Sequence, residues 1–467
     1  MDGLVAVLIE NARWAGAALF FLGVVYLWRL NWQLSQTPPE AARASPFRWA
    51  DHEIRETYKR LQAKPIDWSK HLPPKANRRY VVTGGSGGVG GQIVLHLLAR
   101  GESPESIRIL DFKKVERGDM KAGAAARVDF VQADITSPSG TQAAFEKPWP
   151  ASVAKLPLTV FHTAAMIVAS ERLMGTYERV RRVNVDGTQN VMKAAKAAGA
   201  TIFIATSSAS VAHQPADLWS GPFRSWPKNF FQLIDESDFD KPLRPHARFI
   251  GNYSHTKAVA ERDVCSANRP DFRTGAIRPS NAIYGNSHAD FVVGQILRDQ
   301  GTQSWIGNVV SNFVNGGHIS LAHLDFEAAL LRKDMPACAG RPLVITDDGP
   351  PPAYSDVYRL CELTAATPVK LTLLPPLPFF FLAYLVESVG VGSRTPVLKR
   401  FLSAPSGRLS ILQPAVFHAC LNFVSTDALA RRSVEHGGIG FRHVHTTLEG
   451  MCQQVLDWNI DHASKKA

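Results

Sequence analysis

The chain lacks several motifs that identify common enzyme classes. Its five cysteines are scattered and form no C-x-x-C pair, which gives no sign of a zinc site or a disulfide framework and fits a reducing compartment. Its fifteen histidines show no H-E-x-x-H spacing, so we predict no metal. No G-K-S or G-K-T follows the glycine-rich stretch of the chain, which excludes a nucleoside-triphosphate P-loop.

Acidic residues are few relative to basic ones. The 467 residues include 41 Asp and Glu against 52 Lys and Arg, which gives a net charge of +11. The basic residues are spread along the chain and no nucleic-acid-binding motif is present, so nucleic acid is not a predicted partner. Contact with anionic lipid headgroups explains the excess, and a solvated basic surface without a partner is the alternative.

No apolar run near the amino terminus reaches the ~20 residues of an ideal membrane span. Trp14–Trp28 is fifteen residues without a charge, with aromatic side chains at both ends like an interfacial belt. No clean cleavage site follows, and basic sequence after it favours a retained anchor with a cytosolic catalytic domain. We expect residues 1–32 to be a membrane anchor, with a signal peptide or a packed helix as alternatives. Residues 33–77 are predicted as a linker with one short helix.

The glycine-rich stretch is T-G-G-S-G-G-V-G at Thr83–Gly90, directly after the apolar run Tyr80–Val82. In a turn between a strand and a helix, Gly84 permits the tight turn, Gly87 lets a pyrophosphate approach, and Gly90 lets the helix pack closely. The free N–H groups that open the helix favour an anion there. A glycine-rich surface loop is the alternative, and the rest of the chain decides between them.

A second apolar run, Ile107–Leu110, ends at Asp111. A carboxylate at this spacing from the glycines can accept both ribose hydroxyls of adenosine and would repel a 2′-phosphate, so NAD is favoured over NADP. Lys113 and Lys114 follow closely; they either soften this preference or belong to a solvated turn.

Strand and helix patterns then alternate along the chain. This alternation predicts an α/β fold with a doubly wound parallel sheet, a Rossmann fold, with ligand at the carboxyl ends of the strands. The further runs predicted as strands are Val128–Gln132, Thr159–His162, Thr201–Ala205 and Arg273–Ile277, and those predicted as helices are Gly88–Arg100, Val183–Ala200 and Tyr253–Ala267.

A series of motifs resembles the extended short-chain dehydrogenase/reductases between about residues 78 and 285. The motifs are T-G-G-S-G-G-V-G, Asp111, A-D-I at 133–135, F-H-T-A-A at 161–165, V-N-V-D-G-T at 183–188, T-S-S-A-S-V at 206–211, Y-S-H-T-K at 253–257 and R-P-S-N-A-I-Y-G at 278–285. The resemblance implies an NAD-binding Rossmann domain over 78–285. The cofactor-binding residues it implies are Thr83, Gly84, Gly87, Gly88, Val89, Gly90, Asp111, Asp134 and Ile135 at the adenine, Thr163, Ala164, Ala165, Lys257 and, near the nicotinamide, Pro279.

The chemistry is predicted from Tyr253 and Lys257, which lie four residues apart and share one face of a helix. A nearby ammonium favours the phenolate and lowers the pKa of the tyrosine, which can then take the proton of a substrate hydroxyl. Ser208, at the end of a strand, can hydrogen-bond the same substrate oxygen, and the family pattern selects it over Ser207. Asn184 resembles the asparagine of the family's catalytic site that supports the lysine and a proton-relay water. An exposed helix pair is the alternative for Tyr253 and Lys257.

The carboxyl-terminal region, residues 286–467, is predicted to bind substrate. Within it Leu371–Val391 carries three prolines before F-F-F-L-A-Y-L-V, which suits either an apolar segment dipping into lipid or a buried helix. This segment resembles the membrane-facing segment of the 3β-hydroxysteroid dehydrogenase branch, which includes sterol-4α-carboxylate 3-dehydrogenases. An aromatic insert at 215–232 between Ser208 and Tyr253 is predicted as a substrate lid or a packed loop.

These patterns predict a membrane-associated, NAD-dependent oxidoreductase acting on the 3β-hydroxyl of a sterol or triterpenoid, most like the decarboxylating sterol type. The alternatives are a 3β-hydroxysteroid dehydrogenase/isomerase, a small-carbonyl reductase, a sugar-nucleotide epimerase and a non-catalytic NAD-binding scaffold. A homodimer or a complex with other sterol-modifying enzymes is a possible assembly. Lipid chemistry and an uncleaved anchor suggest the endoplasmic reticulum membrane, with the catalytic domain in the cytosol.

Overall fold

The computed structural model describes residues 2–219 and 225–464, and these contain fifteen α-helices. In chain order they are α1 Asp2–Leu34, α2 Pro39–Ala44, α3 Asp51–Ala63, α4 Gly88–Ala99, α5 Pro138–Glu146, α6 Tyr177–Arg181, α7 Gly187–Ala197, α8 Asn252–Ser266, α9 Val293–Arg298, α10 Gly316–Leu330, α11 Tyr354–Thr364, α12 Pro376–Gly392, α13 Pro414–Ala419, α14 Ala428–Arg431 and α15 Thr447–Ser464.

The described residues also contain thirteen strands. They are β1 Arg79–Thr83, β2 Ile107–Asp111, β3 Asp129–Gln132, β4 Leu158–His162, β5 Ala200–Thr206, β6 Phe231–Ile234, β7 Arg273–Pro279, β8 Ile283–Tyr284, β9 Gly301–Ser304, β10 Val314–Asn315, β11 Pro342–Ile345, β12 Lys370–Leu373 and β13 Asn422–Ser425. Seven form one parallel sheet in the order β11-β7-β5-β4-β1-β2-β3, and the others form the parallel pairs β10-β8, β12-β9 and β13-β6.

The inner strands β1, β2 and β4 of the seven-stranded sheet are buried on both faces, which explains why they contain continuous apolar runs. Val82 and Ile109 point to a core shared with α4 and α10, whereas Val81 and Leu110 point to a core shared with α5, α7 and α8. The Rossmann fold and all six strands predicted from the sequence are confirmed.

The sheet also draws on the chain beyond residue 285, the predicted end of the NAD-binding domain. Strand β11 pairs in parallel with β7 and forms the edge of the sheet, and α10 packs against α4 and β7. The family motifs end before this segment, and its place in the sheet could therefore not be predicted from them.

The segment 33–77 differs from the predicted linker with one short helix. It contains two helices, α2 and α3, and α3 packs against α11 and α15. Ile54 and Leu61 of α3 are buried in an apolar cluster with residues of those helices, so the segment is a fixed part of the fold.

Helix α1 is 33 residues long, far longer than the charge-free run within it. The stretch Ile9–Ala44, most of it in α1, is the one candidate membrane span among the described residues by length and composition, and only 6% of its most apolar window is buried. The last turns of α1 do pack on the protein, because Leu30 and Leu34 are buried with Phe380 of α12. Helix α1 therefore combines a docked end with a long exposed apolar portion.

Candidate active site

The predicted site residues lie where strands of the central sheet end. The carboxyl ends of parallel strands meet at one edge, and the order of the strands reverses direction between β1 and β4, which is where α/β sheets bind ligands. The residues at or just beyond these strand ends are Thr83, Gly84, Asp111, Asp134, Thr163, Ser208 and Pro279.

The glycine loop between β1 and α4 is tightly packed. Gly84 has φ +70°, and a Cβ there would lie 2.7 Å from the backbone nitrogen of Ala164. A Cβ on Gly90 would lie 2.4 Å from the Gly84 carbonyl oxygen, and one on Gly87 would lie 3.2 Å from the same atom. These distances explain why glycine occupies the first and last positions, which are a left-handed turn and a close helix contact.

The other side of this loop is open. A Cβ on Gly88, the first residue of α4, would meet nothing within 4 Å, and Val89 follows it in the first turn. The N–H groups of this turn carry the partial positive charge of a helix start. An open helix start beside a tight glycine turn fits the diphosphate of a dinucleotide.

Asp111 is fixed at the rim of the loop. Its carboxylate accepts hydrogen bonds from the backbone N–H groups of Ser86 and Lys113, both at 3.1 Å. Ser86, within the glycine motif, thus orients the predicted ribose-binding carboxylate, a contact that a strand–turn pattern does not reveal. Phe112 follows Asp111 and is largely exposed.

Arg117 is a second residue that sequence reasoning missed. Its guanidinium donates to the carbonyl oxygens of Gly87 and Gly88, at 3.2 and 2.9 Å, and pairs with Asp119 at 2.6 Å. Arg117 therefore fixes the backbone at the start of α4, and Asp119 neutralises the charge of its guanidinium. No motif indicates it, since its contacts depend on the course of the chain after β2.

Asp134 and Ile135 follow β3. Asp134 is exposed and accepts a hydrogen bond from the backbone N–H of Thr136 at 2.9 Å. Ile135 is buried, and a Cβ on Gly187 at the start of α7 would lie 2.7 Å from its side chain. Ile135 thus packs α7 against the sheet, and the placement of both residues at the adenine remains a prediction.

The segment after β4 is tied to the glycine loop. Both the backbone N–H and the hydroxyl of Thr163 donate to the carbonyl oxygen of Thr83, at 3.1 and 2.7 Å. His162 is bonded at both ring nitrogens, to Thr83 at 2.7 Å and Thr188 at 2.9 Å, and burial lowers its pKa to about 3. His162 is therefore a buried, neutral residue with a structural role, and the place of Thr163, Ala164 and Ala165 beside the cofactor stays a prediction.

Tyr253 lies one turn before Lys257 on α8, as predicted. Burial raises the pKa of Tyr253 to about 12, and a hydrogen bond with the Ser208 side chain offsets part of this increase. The expected lowering of this pKa by the ammonium group is therefore wrong for the protein without ligands, because desolvation outweighs it. The Tyr253 residue as a whole is partly buried.

Lys257 is buried and its ammonium donates to the carbonyl oxygen of Thr206 at 2.5 Å. Burial lowers the pKa of Lys257 to about 8, and Glu261, one turn further along α8, opposes this shift. Lys257 thus connects α8 to the end of β5, directly before Ser207 and Ser208.

The two serines after β5 have different surroundings. Ser208 is partly exposed, bonds to the Ser210 hydroxyl at 2.9 Å and faces Tyr253. Ser207 is buried, and its hydroxyl has no hydrogen-bond partner among the described residues. Ser208 is therefore the serine whose side chain interacts with Tyr253, and its catalytic role stays a prediction.

Asn184 lies in a π-helical turn, Arg182–Asp186, between α6 and α7. Its side-chain oxygen accepts the backbone N–H of Met166 at 2.8 Å, and its amide donates to the Met166 carbonyl at 3.0 Å and the Thr256 hydroxyl at 3.1 Å. Its bonds thus join the segment after β4 to α8 beside Lys257. Asn184 therefore helps to position α8, and it makes these hydrogen bonds instead of one to Lys257.

Pro279 is buried at the end of β7, beside Arg278. The guanidinium of Arg278 is fully buried and pairs with Glu261 and Asp238, both at 2.6 Å. Glu261 is therefore already engaged by a cation, which limits its influence on Lys257.

One buried group of described residues has the composition of a metal site. His318, Asp347 and His445 place ligand atoms within 4.8 Å of one another. Both ring nitrogens of His318 are engaged, however: Nδ1 with Asp347 at 2.7 Å and Nε2 with the backbone N–H of Val444 at 2.9 Å. This arrangement is a hydrogen-bonded cluster in which His318 has no free lone pair for a metal.

A family model described as the 3-beta hydroxysteroid dehydrogenase/isomerase family matches residues 81–367, more than half of the chain. The chain belongs to this family. The family prediction is therefore confirmed. The match begins in β1 and ends between α11 and β12, so it spans the glycine loop, Ser208, Tyr253 and Lys257.

Several known proteins are similar in sequence to this chain. A 3 beta-hydroxysteroid dehydrogenase/Delta 5-->4-isomerase of Mycobacterium tuberculosis is 34% identical over 212 residues, 44% of this chain and 48% of that protein. A decarboxylating sterol-4-alpha-carboxylate 3-dehydrogenase of Bos taurus is 29% identical over 299 residues, 62% of this chain and 70% of that protein. The chain thus spans about half the length of the mycobacterial family member and more of the bovine one.

Solved structures share the fold. A UDP-glucose-4-epimerase from Stenotrophomonas maltophila with bound NAD superposes with a TM-score of 0.54 at 16% identity, covering 84% of this chain and all of that one. MoeE5 in complex with UDP-glucuronic acid and NAD gives 0.53 at 18% identity, covering 82% and 99%. At these identities the likeness concerns the fold of this family member and not its substrate.

Proposed function

We propose that the protein is a membrane-associated, NAD-dependent enzyme that oxidises the 3β-hydroxyl of a 4α-carboxysterol or a related triterpenoid, with loss of the carboxylate as carbon dioxide. The observation that carries this proposal is the group formed by Tyr253, Lys257 and Ser208 at the carboxyl edge of a dinucleotide-type sheet. A phenol that bonds to a serine hydroxyl beside a buried lysine suits proton removal from an alcohol.

In this proposal Ser208 holds the substrate oxygen and the Tyr253 oxygen takes the hydroxyl proton. Lys257 stabilises the phenolate by its charge, and Asn184 and Thr206 hold the helix and the ammonium in place. NAD, when bound, supplies the hydride acceptor for the carbinol carbon. The product is a β-keto acid, whose carbon–carboxylate bond breaks readily because the new carbonyl accepts the electron pair.

The residues that would hold the cofactor are those of the glycine loop and the strand ends around it. Thr83, Gly84, Gly87, Gly88, Val89 and Gly90 would bind the diphosphate, and Asp111 the ribose. The carboxylate of Asp111 favours NAD over NADP because it would repel a 2′-phosphate, and Arg117 does not reverse this preference since Asp119 neutralises it.

The sterol class is supported by relatives and by apolar surface. The bovine relative is named for a sterol 4-carboxylate substrate and for decarboxylation. Helix α1 exposes Leu19, Phe20 and Phe21 to the surroundings, a surface that suits a lipid bilayer and brings the enzyme to a substrate dissolved there. The endoplasmic reticulum, a cytosolic catalytic domain, and a homodimer or a complex with sterol-modifying enzymes are part of the proposal.

The test is NADH formation by detergent-solubilised full-length protein given NAD and a 4α-carboxy-3β-hydroxysterol, with the product analysed by mass spectrometry. We expect NADH together with loss of carbon dioxide, and less NADPH when NADP replaces NAD. Demonstrable NAD binding without NADH formation from any 3β-hydroxysteroid would reject the proposal in favour of an epimerase or a scaffold.

A second candidate is 3β-hydroxysteroid oxidation followed by double-bond migration. It is favoured by the higher identity, 34%, to the mycobacterial dehydrogenase/isomerase. The same assay separates the two, because a Δ5-3β-hydroxysteroid without a 4-carboxylate would then yield a conjugated 4-ene-3-ketone, which absorbs in the ultraviolet.

A further inference from the structure

The segment that follows α12 has an unusual charge pattern. No Asp or Glu occurs between residues 388 and 426, whereas this interval contains Arg394, Lys399, Arg400 and Arg408. We call residues 393–412 the basic apolar segment. Arg408 pairs with Asp299 at 2.6 Å, so the positive charge of this segment that is not paired in this way comes from the other three basic residues.

Apolar side chains alternate with these charges and face outwards. Phe401 is 80% exposed and Val397 is 70% exposed, and Leu398, Leu409 and Ile411 are exposed as well. Such a concentration of exposed large apolar residues on a short segment is uncommon on a surface that meets only water. The segment is not detached, because a Cβ on Gly392 would lie 2.8 Å from the Leu402 side chain.

The segment also lies near the point where α1 leaves the protein. Helix α12, which precedes it, packs against the last turns of α1, with Phe380 buried beside Leu30 and the backbone N–H of Leu377 donating to Asn31 at 3.2 Å. The outer face of α12 is apolar too, since Leu385 is 59% exposed. If α1 enters a bilayer, α12 and the basic apolar segment lie close to the bilayer surface.

We propose that the basic apolar segment is a second membrane-binding surface, which recognises anionic phospholipid headgroups. Phe401, Val397 and Leu398 enter the interfacial region while Arg394, Lys399 and Arg400 bind headgroup phosphates. With α1 this gives two attachment points, which fix the orientation of the cleft relative to the bilayer. The inference rests on the proposed membrane association and adds the lipid class and the residues.

The test places full-length protein in nanodiscs of phosphatidylcholine alone or mixed with phosphatidylserine. Phe401→Cys is labelled with an environment-sensitive fluorophore, and the same label at Ser139→Cys, an exposed position on α5, is the control. The five native cysteines, four of them buried, are measured as background in the unsubstituted protein. In the mixed discs we expect the label at position 401 to report an apolar environment, and we expect this signal to decrease as the salt concentration is raised. The label at position 139 should report an aqueous environment in both kinds of disc.

Charge dependence is tested in the labelled protein with Lys399→Gln and Arg400→Gln. Removing two basic residues at the surface should weaken the docking equilibrium on anionic discs by roughly 30-fold. Lys155→Gln with Lys333→Gln, two exposed lysines elsewhere on the protein, should leave it unchanged.

The two proposals fail in different ways. A label at 401 that stays in water on both kinds of disc, while the same discs form NADH from a steroid, overturns the docking surface and leaves the proposed function intact. Equal burial of the label on neutral and anionic discs overturns the choice of anionic lipid. Burial that depends on Lys399 and Arg400 without NADH formation supports the docking surface and rejects the enzymatic proposal.

Discussion

Two regions of this protein bury apolar surface in different ways. We call the region around strands β1, β2 and β4 the cofactor side, and the region formed by helices α1 and α12 the α1–α12 side. Strands β1, β2 and β4 are covered on both faces, and residues such as Val82, Phe161 and Leu110 are fully buried. Helices α1 and α12 bury one stripe, including Leu30 and Phe380, against each other and leave the rest of their apolar surface open.

This difference indicates which environment each side is built for. Burying apolar area stabilises a fold in water by about 25 cal/mol per Å², so the cofactor side is stable in water through its own contacts. The open surface of α1 and α12 gains no such stabilisation in water and would gain it in lipid. One side of the molecule is thus organised around a soluble cofactor, and the other around an apolar neighbour.

The largest expected effect is on the cofactor side, at Tyr253. Tyr253→Phe should lower the turnover number by about 10²–10⁴-fold, because it removes the proton acceptor and keeps the ring. NAD affinity, measured by calorimetry, should not change. In the unsubstituted enzyme the oxidation rate should rise with pH across the neutral to alkaline range, since only the phenolate accepts a proton and burial raises the Tyr253 pKa to about 12. Retained turnover in the variant would mean that the tyrosine is not the base.

The site on this side was largely predictable because each residue satisfies a local rule. A left-handed turn at Gly84, a carboxylate at the end of β2 and a phenol one helical turn before a lysine all correspond to local patterns in the sequence. Ser86 and Arg117 were not predictable, because their contacts depend on how two distant turns meet. The pKa of Tyr253 was misjudged for a related reason: charge spacing is visible in a sequence, but desolvation is not.

The α1–α12 side was predictable only in part. Composition indicated apolar helices, but not that α1 continues to Leu34 and packs on α12, nor that α3 fills an apolar cluster. Within the predicted aromatic insert, Phe223 lies outside the described residues, Phe230 is buried and Trp219 packs near Tyr384. Contacts between segments hundreds of residues apart have no local pattern to reveal them.

Gly84→Ala tests how tightly the cofactor side is built. The residue has φ +70° and its Cβ would contact the Ala164 backbone, so we expect a loss of about 2–5 kcal/mol in the free energy of unfolding. Gly118→Ala is the matched control, because its Cβ would meet nothing within 4 Å and it has an ordinary φ. Chemical denaturation without cofactor measures both. Equal effects would contradict the packing described for the loop.

The two serines after β5 provide a paired test of the site. Ser208→Ala should reduce kcat by about 10²-fold by removing a hydrogen bond to the substrate oxygen. Ser207→Ala should leave kcat unchanged, since the buried Ser207 hydroxyl has no partner among the described residues to lose. A loss of kcat in Ser207→Ala with no loss in Ser208→Ala would show that Ser207, and not Ser208, binds the substrate oxygen.

The smallest expected effect concerns the contact between the two sides. Arg172, on the segment after β4, makes a bidentate ion pair with Glu387 of α12. Its Nε and Nη2 atoms lie 2.9 and 2.8 Å from the two carboxylate oxygens. The backbone of the neighbouring Glu171 accepts a hydrogen bond from Asn252, the first residue of the catalytic helix, at 2.8 Å. A double-mutant cycle with Arg172→Gln and Glu387→Gln should give a coupling of about 1–2 kcal/mol, because Glu387 is largely buried.

The exposed pair Arg359–Asp51 has similar geometry and is the control, with an expected coupling near zero.

If α12 positions the cleft for a substrate arriving from the bilayer, Glu387→Gln should raise the KM for a membrane-dissolved steroid and leave kcat unchanged. A fall in kcat with KM unchanged would show instead that the pair supports the catalytic helix, since Arg172 lies next to the residue that bonds Asn252. In that case α12 would contribute to positioning Tyr253 and Lys257, and the cofactor side and the α1–α12 side would not be functionally separate at this ion pair.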